Sequence, residues 1–344
     1  MAYEQIPAAD IRHIMFIAQK YTPIEKVGEG SFSVVYKALD TESGRHVAIK
    51  AITKTSSPAR ILEELMFLKA LGGKKNCMGL LGCFRQEDQV VAVSPYFESI
   101  DFREFISSAS IMDIKRYMYN LLVAIEHVHS NNIIHRDLKP SNFLYNRDTG
   151  KGMLIDFGLA QHEEQKSKIR AEEQKKTQAP QLFFHTVVSK ARPPGCYEGD
   201  SRPQMKAARA GTRGFRAPEV LFRYGQQTRA IDMWSAGVVF LTMLSGQYPF
   251  FYSSDDIDSM VELATIYGHG EMRKAARFYG RTWRSNVETI PEERVRFETI
   301  IECLNPWPEV GSDGYDLLYR MLDLYATTRI SSSDALRHPF FDGM

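Results

Sequence analysis

Residues 134–142 of this chain, IHRDLKPSN, carry an acid, a lysine and an asparagine within six positions. Asp137 is suited to accept a proton from a hydroxyl group. Lys139, two residues away, is suited to offset the negative charge of a phosphoryl group that is transferred to that hydroxyl. Asn142 offers an amide oxygen to a hard metal ion. The acid taken alone is better explained as a surface charge or part of a capped turn, so the neighbouring residues along the chain decide the interpretation.

A second polar motif follows at a fixed distance. Fourteen residues beyond Asn142, the apolar run MLI leads into Asp156, Phe157 and Gly158. A strand holds such an acid in place, and its carboxylate is a candidate ligand that bridges Mg²⁺ to phosphate groups. The order and spacing of the two motifs together favour a metal site that handles phosphate over two unrelated turns.

A glycine-rich turn lies near the start of the chain, in the segment GEGSFSVVY. Gly28 and Gly30 leave the backbone free to approach phosphate groups, and Val35 is placed to cover an adenine ring. On its own this turn is weak support, since a flexible hairpin or a dinucleotide-binding turn has a similar composition.

One lysine ends the next strand-like run, VAIK, fifteen residues after Val35. Lys50 is either a surface residue whose stem lies along apolar neighbours or a charge held over the α- and β-phosphates of a nucleotide. The second interpretation requires a carboxylate from the following helix, for which Glu64 is the first choice and Glu63 the adjacent alternative.

Hydrophobic periodicity separates a strand-rich part from a helix-rich part. Residues 21–54 have the composition of an antiparallel meander, and a strand is predicted at 89–93, after which the segment SPYFES breaks the pattern. Apolar spacings of three and four predict helices at 8–19, 58–71, 111–130, 228–246 and 313–324.

The predicted fold class is α+β with two lobes. Residues 163–210 differ from both lobes, because they are rich in basic residues and proline and lack periodicity. The predicted parts are an N-terminal helical extension at 1–20, a small antiparallel-sheet lobe with one main helix at 21–94, a larger mainly helical lobe at 95–344, and within the latter a poorly ordered insert at about 163–210.

Charge and cysteine content narrow the class of protein. Basic and acidic residues nearly balance, 43 against 42, so no overall field points to nucleic acid or membrane, although residues 166–209 of the insert hold a local excess of six positive charges. The four cysteines lack the spacing of a zinc site or a disulfide framework. No apolar run is long enough to span a bilayer and no secretory signal opens the chain, so we expect a soluble intracellular protein.

Six longer segments share the pattern of one enzyme superfamily: GEGSFSVVY, HRDLKPSNFLYN, DFGLAQ, GTRGFRAPEVL, AIDMWSAGVVFLTMLSGQYPF and HPFF. From about residue 21 to 341 the chain resembles the eukaryotic protein kinases, and within them it looks most like the cell-division-cycle seven family. Two departures from the general pattern favour that family: Ser33 stands where most kinases have a third glycine, and 58 residues separate Gly158 from Ala217. Members usually carry a larger insert there and another in the carboxyl lobe, so this chain is trimmed.

The resemblance implies a serine/threonine protein kinase that uses ATP and Mg²⁺, and Lys139 is the residue expected in serine/threonine rather than tyrosine kinases. It also implies a nuclear enzyme that depends on a regulatory subunit of the dumbbell-former-four type and phosphorylates subunits of the minichromosome maintenance helicase. Neither a membrane nor a direct nucleic-acid partner is expected. The assigned residues are Asp137, Lys139, Lys50, Glu64 and Thr212 for catalysis, Gly28, Gly30, Ser33, Val35, Ala48, Lys50, Ser94, Tyr96, Phe97, Asn142 and Asp156 for ATP, and Asn142 and Asp156 for the metal.

Several positions have supporting roles in this interpretation. Glu219 is expected to form a buried ion pair with Arg329, and Asp232 to hold the backbone of the catalytic loop. Thr212 is expected to contact Asp137 and Lys139, with a phosphorylation switch as the alternative. Arg136 leaves a positive charge for a phosphorylated insert residue or for the partner.

Selectivity for substrate and inhibitor is expected to arise at two places. Arg213 and Arg216 are candidates to attract an acidic or phosphorylated residue after the acceptor, unless both are solvated or paired internally. Ser94 falls where the residue that guards the pocket behind the adenine should lie.

Three other functions are compatible with parts of this sequence. A pseudokinase scaffold is disfavoured because Lys50, Asp137, Asn142 and Asp156 are all present. A nucleic-acid-binding insert is disfavoured because it has few interleaved aromatic residues. An acidic-directed kinase of another cellular role, of the casein kinase two type, remains the alternative.

Overall fold

The structure is a computed structural model that describes residues 20–30, 33–52, 58–86, 89–163, 211–305 and 310–344. It divides into two units. The first unit comprises the residues up to Asn131 together with Pro140–Ala160. The second unit comprises Asn132–Lys139 and Gln161–Gly343. The helix predicted at 8–19 and all but the first residue of the insert at 163–210 lie outside the described residues. Those features and the lobe boundary at residue 94 therefore stay predictions.

Nine strands and nine α-helices are assigned within the described ranges, and the predicted α+β class is confirmed. In chain order the strands are β1 (Tyr21–Gly30), β2 (Ser33–Asp40), β3 (His46–Ile52), β4 (Gly82–Gln86), β5 (Gln89–Pro95), β6 (Ile133–Ile134), β7 (Phe143–Asn146), β8 (Lys151–Leu154) and β9 (Gln161–His162). The helices are α1 (Pro58–Leu71), α2 (Phe102–Ser108), α3 (Ile111–Ser130), α4 (Pro218–Leu221), α5 (Ala230–Ser245), α6 (Asp256–Phe278), α7 (Phe297–Leu304), α8 (Gly311–Met321) and α9 (Ser332–Ala335). Short 3₁₀ turns cover Pro140–Asn142 and Pro339–Phe341.

The first unit contains a five-stranded antiparallel sheet in the order β1-β2-β3-β5-β4. Strands β2 and β3 alternate in burial over most of their length because successive side chains point to opposite faces. Tyr36, Val47, Ile49 and Val93 belong to one apolar cluster. The residues that alternate with these along the strands, including Lys50, therefore point to the other face of the sheet.

Strand β5 continues two residues beyond the predicted end at residue 93. Ser94 and Pro95 still pair with Ala48 and Val47 of β3, so the segment SPYFES begins inside the sheet. Proline is tolerated here because it lies at the end of its strand, where a missing N–H donor removes little of the ladder.

Helix α3 supports the segments that carry the metal candidates. Its predicted bounds, 111–130, are confirmed, and Ser110 and Asp113 form a capping box at its start. Asn120 of α3 donates to the carbonyl of Gly150 in the turn between β7 and β8 at 3.0 Å. The hairpin of β7 and β8 therefore rests on α3, with Asn142 directly before it and Asp156 shortly after it.

The second unit is organised around helix α5. All its residues are buried, which is expected of a helix that is apolar around its whole circumference. A Cβ added at Gly237 would lie 2.8 Å from the side chain of Leu322, so the close approach at this point requires glycine. Helix α5 is two residues shorter at its start and one at its end than the predicted 228–246, and α8 covers Gly311–Met321 instead of 313–324. No helix in the described part of the chain has the length and apolar character needed to cross a bilayer.

Candidate active site

Lys50 lies between two carboxylates in the first unit. Its Nζ is 2.6 Å from Oε1 of Glu64 and 3.1 Å from Oδ1 of Asp156. Glu64, and not the adjacent Glu63, is thus the helical partner in α1. Burial would lower the pKa of Lys50, but the charges of Asp156 and Glu64 outweigh burial and raise it above the usual range. Lys50 is therefore a fixed positive charge at neutral pH.

Gly158 completes this cluster, although the sequence reasoning gave it no separate role. Its amide N–H donates to Oδ1 of Asp156 at 3.1 Å. A Cβ at this position would lie 3.3 Å from Asp156 Oδ1, tighter than most real Cβ contacts, and in ordinary contact with Glu64 Oε2 at 3.4 Å. A side chain here would crowd the carboxylate of Asp156, which contacts Lys50.

The predicted nucleotide-binding residues of the sheet share one face. Gly28 pairs with Val35, and Val35 pairs with Lys50, so these three form a row across β1, β2 and β3. Ala48 and Ser94 are paired in the next row of the same face. Directly opposed residues lie close enough for their side chains to interact, so the face presents small and apolar groups beside Lys50.

The other predicted nucleotide residues flank this face. Gly30 and Ser33 are paired at the turn end of β1 and β2. Tyr96 follows β5, where its amide donates to His46 at 3.3 Å and its ring lies 4.5 Å from the ammonium of Lys37. Phe97, the next residue, is half-buried.

Asn142 and Asp156 come from neighbouring stretches of backbone. The amide of Ile155 donates to the carbonyl of Asn142 at 3.0 Å, which places the residue before Asp156 beside Asn142. The side chain of Asp156 is 40% exposed, in contrast to 10% for Glu64. An accessible carboxylate and an amide oxygen are hard donors, which fit a hard divalent ion whose remaining positions are filled by phosphate and water.

The second unit holds Asp137, Lys139 and Thr212 in direct contact. Oδ1 of Asp137 accepts hydrogen bonds from the amide of Thr212 at 2.8 Å and from its hydroxyl at 2.6 Å. Lys139 Nζ lies 2.8 Å from Oδ2 of Asp137 and donates to Oγ1 of Thr212 at 2.7 Å. The predicted contacts of Thr212 are present, and the threonine hydroxyl links the acid to the lysine.

Asp232 holds the loop that carries Asp137. Its two carboxylate oxygens accept the amides of His135 and Arg136, each at 2.8 Å, in a buried position. Arg136 has a left-handed backbone with φ of 69°, a strained conformation that these bonds stabilise. The predicted role of Asp232 is confirmed.

Gly211 keeps Thr212 close to this loop. A Cβ at Gly211 would lie 2.7 Å from the carbonyl oxygen of Arg136, and its φ of 102° also favours glycine. This position is therefore restricted to glycine for two independent reasons.

Arg216 is paired internally, which is the alternative that the sequence left open for it. Its guanidinium binds the carboxylate of Asp256 and also donates to the carbonyl of Gly211 at 2.9 Å. The pair is mostly buried, so the charge of Arg216 is already balanced inside the unit. Arg213 differs, because it is exposed and donates to the neutral carbonyl of Ser254.

Glu219 and Arg329 form the predicted buried ion pair. Their atoms meet in two parallel contacts of 2.8 Å and 3.0 Å, and neither side chain is exposed. Arg329 also donates to the carbonyls of Ala230 and Asp323, at 2.7 Å and 2.9 Å. This network ties α4 to the start of α5 and to the segment after α8.

Comparison with known proteins places this constellation in a family. Residues 21–192 and 195–341 match the protein kinase domain. The chain is 73% identical over its full length to the probable cell division control protein 7 homolog 2 of Encephalitozoon cuniculi, of which it covers 98%, and equally identical to homolog 1. It belongs to the cell-division-cycle seven family of protein kinases. It is also 37% identical to the cell cycle serine/threonine-protein kinase hsk1 of Schizosaccharomyces pombe, over 98% of this chain and 77% of that protein.

Membership in the kinase family makes this chain a serine/threonine protein kinase that uses ATP and a divalent metal. In such enzymes the positioned acid accepts the hydroxyl proton, and lysine and metal neutralise the phosphates. Asp137 and Lys139, in the second unit, supply the group that accepts the proton. Lys50 and Asp156, in the first unit, supply the groups that neutralise the phosphates.

The pairing of Ala48 with Ser94 predicts how this kinase responds to adenine-site inhibitors. Replacing Ser94 with methionine adds a long side chain to the face that carries Val35 and Lys50, so bulky inhibitors should bind at least about tenfold more weakly. KM for ATP should change much less. Inhibition constants of the two enzymes against one bulky and one small inhibitor measure the effect. Equal loss for both inhibitors would contradict the assignment of Ser94 to this pocket.

The bonds of Thr212 predict a loss that follows its hydroxyl. Thr212→Val keeps the shape but removes a donor to Asp137 and an acceptor for Lys139, so kcat should fall about 10- to 100-fold. Thr212→Ser should retain most of the activity because it keeps the hydroxyl. Steady-state kinetics of both variants provide the measurement, and a Thr212→Val enzyme with wild-type kcat would show that these bonds are dispensable.

Sequence reasoning missed the partners of two arginines. Asp256 is the first residue of α6, in the acidic segment DDID, and its contact with Arg216 spans 40 residues. Gln161 and Gln227 bind Arg136, and although Gln161 ends the segment DFGLAQ, neither glutamine carries a charge that would suggest this pairing. No local pattern would have identified either set.

Proposed function

We propose that this kinase acts in the initiation of DNA replication by phosphorylating subunits of the minichromosome maintenance helicase in the nucleus. The observation that carries the proposal is the 73% identity, over the whole chain, with two proteins named as cell division control protein 7 homologs. The alternative is an acidic-directed kinase with another cellular role, of the casein kinase two type.

The proposed chemistry is transfer of the γ-phosphoryl group of ATP to a serine or threonine hydroxyl. Asp137 orients that hydroxyl and accepts its proton, and Lys139, 2.8 Å from this acid, balances charge on the phosphoryl group. Lys50, fixed by Glu64, orients the α- and β-phosphates. Mg²⁺, held by Asp156 and Asn142, would neutralise charge on the phosphates.

Selection of an acidic or phosphorylated residue after the acceptor is assigned to Arg213. Arg216 is already balanced by Asp256, whereas Arg213 is exposed and its guanidinium contacts a neutral carbonyl. On peptide arrays, Arg213→Ala should lower the preference for acidic residues after the acceptor about tenfold. Arg284→Ala, which removes another exposed arginine of the same unit, is the control. An array that selects proline or arginine there, or an Arg213→Ala enzyme with unchanged selection, would reject the assignment.

The regulatory subunit is proposed to dock on the outer face of helix α1. Leu62 and Met66 lie one turn apart on this helix and are 59% and 58% exposed. Both belong to the helix that carries Glu64, so a partner covering them would stabilise the position of the Lys50 contact. Exposed apolar residues at this spacing suit a partner that buries them.

Copurification from native cells tests the proposed partner. The double variant Leu62→Asp, Met66→Asp should lose a copurifying regulatory subunit, whereas Leu304→Asp, which changes an exposed leucine of the second unit, should retain it. An isolated chain that copurifies with no subunit and has full activity would reject the regulatory partner and favour the casein kinase two type.

Replacement of the chain in its native cells tests the replication role. Cells that contain only the Asp137→Asn form should fail to start DNA synthesis, and their helicase subunits should lack the phosphates that the wild-type enzyme adds in vitro. A fluorescent fusion of the wild-type chain should accumulate in the nucleus. Normal origin firing in the mutant cells would reject the role while leaving the kinase assignment intact.

A further inference from the structure

The guanidinium of Arg136 is held by two glutamines. Its Nη1 donates to Oε1 of Gln161 at 2.5 Å, and its Nη2 donates to Oε1 of Gln227 at 2.8 Å. The residue is only 8% exposed. Gln161 lies in β9, five residues after Asp156, and Gln227 lies shortly before helix α5. Both terminal nitrogens of the guanidinium thus donate to uncharged side chains.

A second link joins the same two stretches of chain. The amide of Arg229 donates to Oε1 of Glu163 at 3.1 Å, and its Nε donates to Oε2 at 2.9 Å. Residues 161 and 163 therefore bind, directly or through Arg136, to residues 227 and 229. We call the stretch from Asp156 to Glu219 the activation segment. Its start is held by two sets of contacts to residues 227 and 229.

Strand pairing places the contacts of Gln161 and Glu163 beside the catalytic loop. Ile134 of β6 pairs with Gln161, and the amide of Glu163 donates to the carbonyl of Asn132 at 2.9 Å. Asp137 directly follows Arg136, whose left-handed backbone leaves little freedom for the orientation of the next residue. Asp137 is therefore one peptide unit away from the residue whose guanidinium the two glutamines hold.

In many kinases an arginine at this position is neutralised by a phosphate on the activation segment, which orders that segment. We propose that Gln161 and Gln227 replace such a phosphate: they hold Arg136, and through it Asp137, so that the enzyme is active without phosphorylation of its activation segment. Both glutamines are positioning residues. The inference rests on the kinase activity and is independent of the role in replication.

Removal of phosphate from the wild-type enzyme is the first test. The full chain, with its regulatory subunit where one copurifies, is treated with a protein phosphatase, and mass spectrometry verifies that residues 156–219 carry no phosphate. The kcat should stay within about twofold of the untreated value. A loss of more than about tenfold that is reversed by rephosphorylation of this segment would overturn the proposal. The Asp137→Asn variant gives the background rate of the assay. A wild-type enzyme whose rate does not exceed this background would refute the kinase assignment itself.

Substitution of the glutamines is the second test. Gln161→Leu and Gln227→Leu remove the acceptors at similar volume, and each should lower kcat about 10- to 100-fold with KM for ATP within about twofold. Gln161→Glu and Gln227→Glu keep an acceptor oxygen at the same place and should retain most of the activity. A merely structural role of the glutamines does not predict this difference from the leucine variants. Gln226→Leu, at an exposed neighbouring glutamine, is the matched control.

The outcomes of the substitutions are decisive in both directions. Wild-type kcat in Gln161→Leu, Gln227→Leu and their double variant would overturn the proposal, and so would glutamate variants as slow as the leucine variants. Circular dichroism and thermal unfolding establish that each variant is folded. Should the leucine variants fail to fold, the glutamate variants and the phosphatase experiment on the wild-type enzyme still decide the question.

Discussion

Replacing Asp137 with asparagine should lower kcat by about 10² to 10⁴-fold, which corresponds to roughly 3 to 5 kcal/mol of activation barrier. An asparagine cannot take up the hydroxyl proton, although its amide oxygen can still accept the hydrogen bonds that Thr212 donates to Oδ1. The variant should therefore fold normally and bind ATP with a KM within about twofold of the wild type.

Steady-state kinetics with labelled ATP and an acidic protein substrate measure this loss. Asp148→Asn is the matched control, because it makes the same substitution at an exposed turn residue and should leave kcat unchanged. An Asp137→Asn enzyme with wild-type kcat would show that this acid is not the base. It would also favour a scaffold or a contaminating kinase as the source of activity.

The catalytic residues could be predicted because their chemistry is written in short motifs. Asp137, Lys139 and Asn142 fall within six positions, and the strand before Asp156 was visible as an apolar run. Helix α3 has the predicted bounds because apolar spacings of three and four continue through it without a break. Strand β5 was predicted two residues too short, since serine and proline end most strands but here retain their pairing to β3.

The partners of charged residues were predictable only where a motif named both members. Glu219 and Arg329 were paired from the sequence, although 110 residues separate them. Arg216 has the same type of partner in Asp256, but that acid lies in a run of three carboxylates whose spacing suits a helix start. The glutamines at Arg136 carry no charge to suggest pairing. Contacts between distant residues depend on tertiary packing, which hydrophobic periodicity does not encode.

Buried and exposed ion pairs in the second unit should differ sharply in their effect on stability. Arg329→Met leaves the carboxylate of Glu219 uncompensated in a fully buried position, and it should lower the free energy of unfolding by about 3–5 kcal/mol. Arg320→Met makes the same substitution in an exposed pair, where Arg320 Nε lies 2.7 Å from Asp316 and the side chains are 58% and 49% exposed. It should cost about 1 kcal/mol or less.

A double-mutant cycle separates the buried charge from the lost packing. Adding Glu219→Leu to Arg329→Met removes the stranded carboxylate, so the double variant should be more stable than Arg329→Met alone. It should remain less stable than the wild type, because the carbonyls of Ala230 and Asp323 lose the donors that Arg329 supplied. Urea unfolding at neutral pH measures all four proteins. A double variant less stable than either single one would mean that the pair acts by shape, and that charge compensation is not what holds α4 against α5.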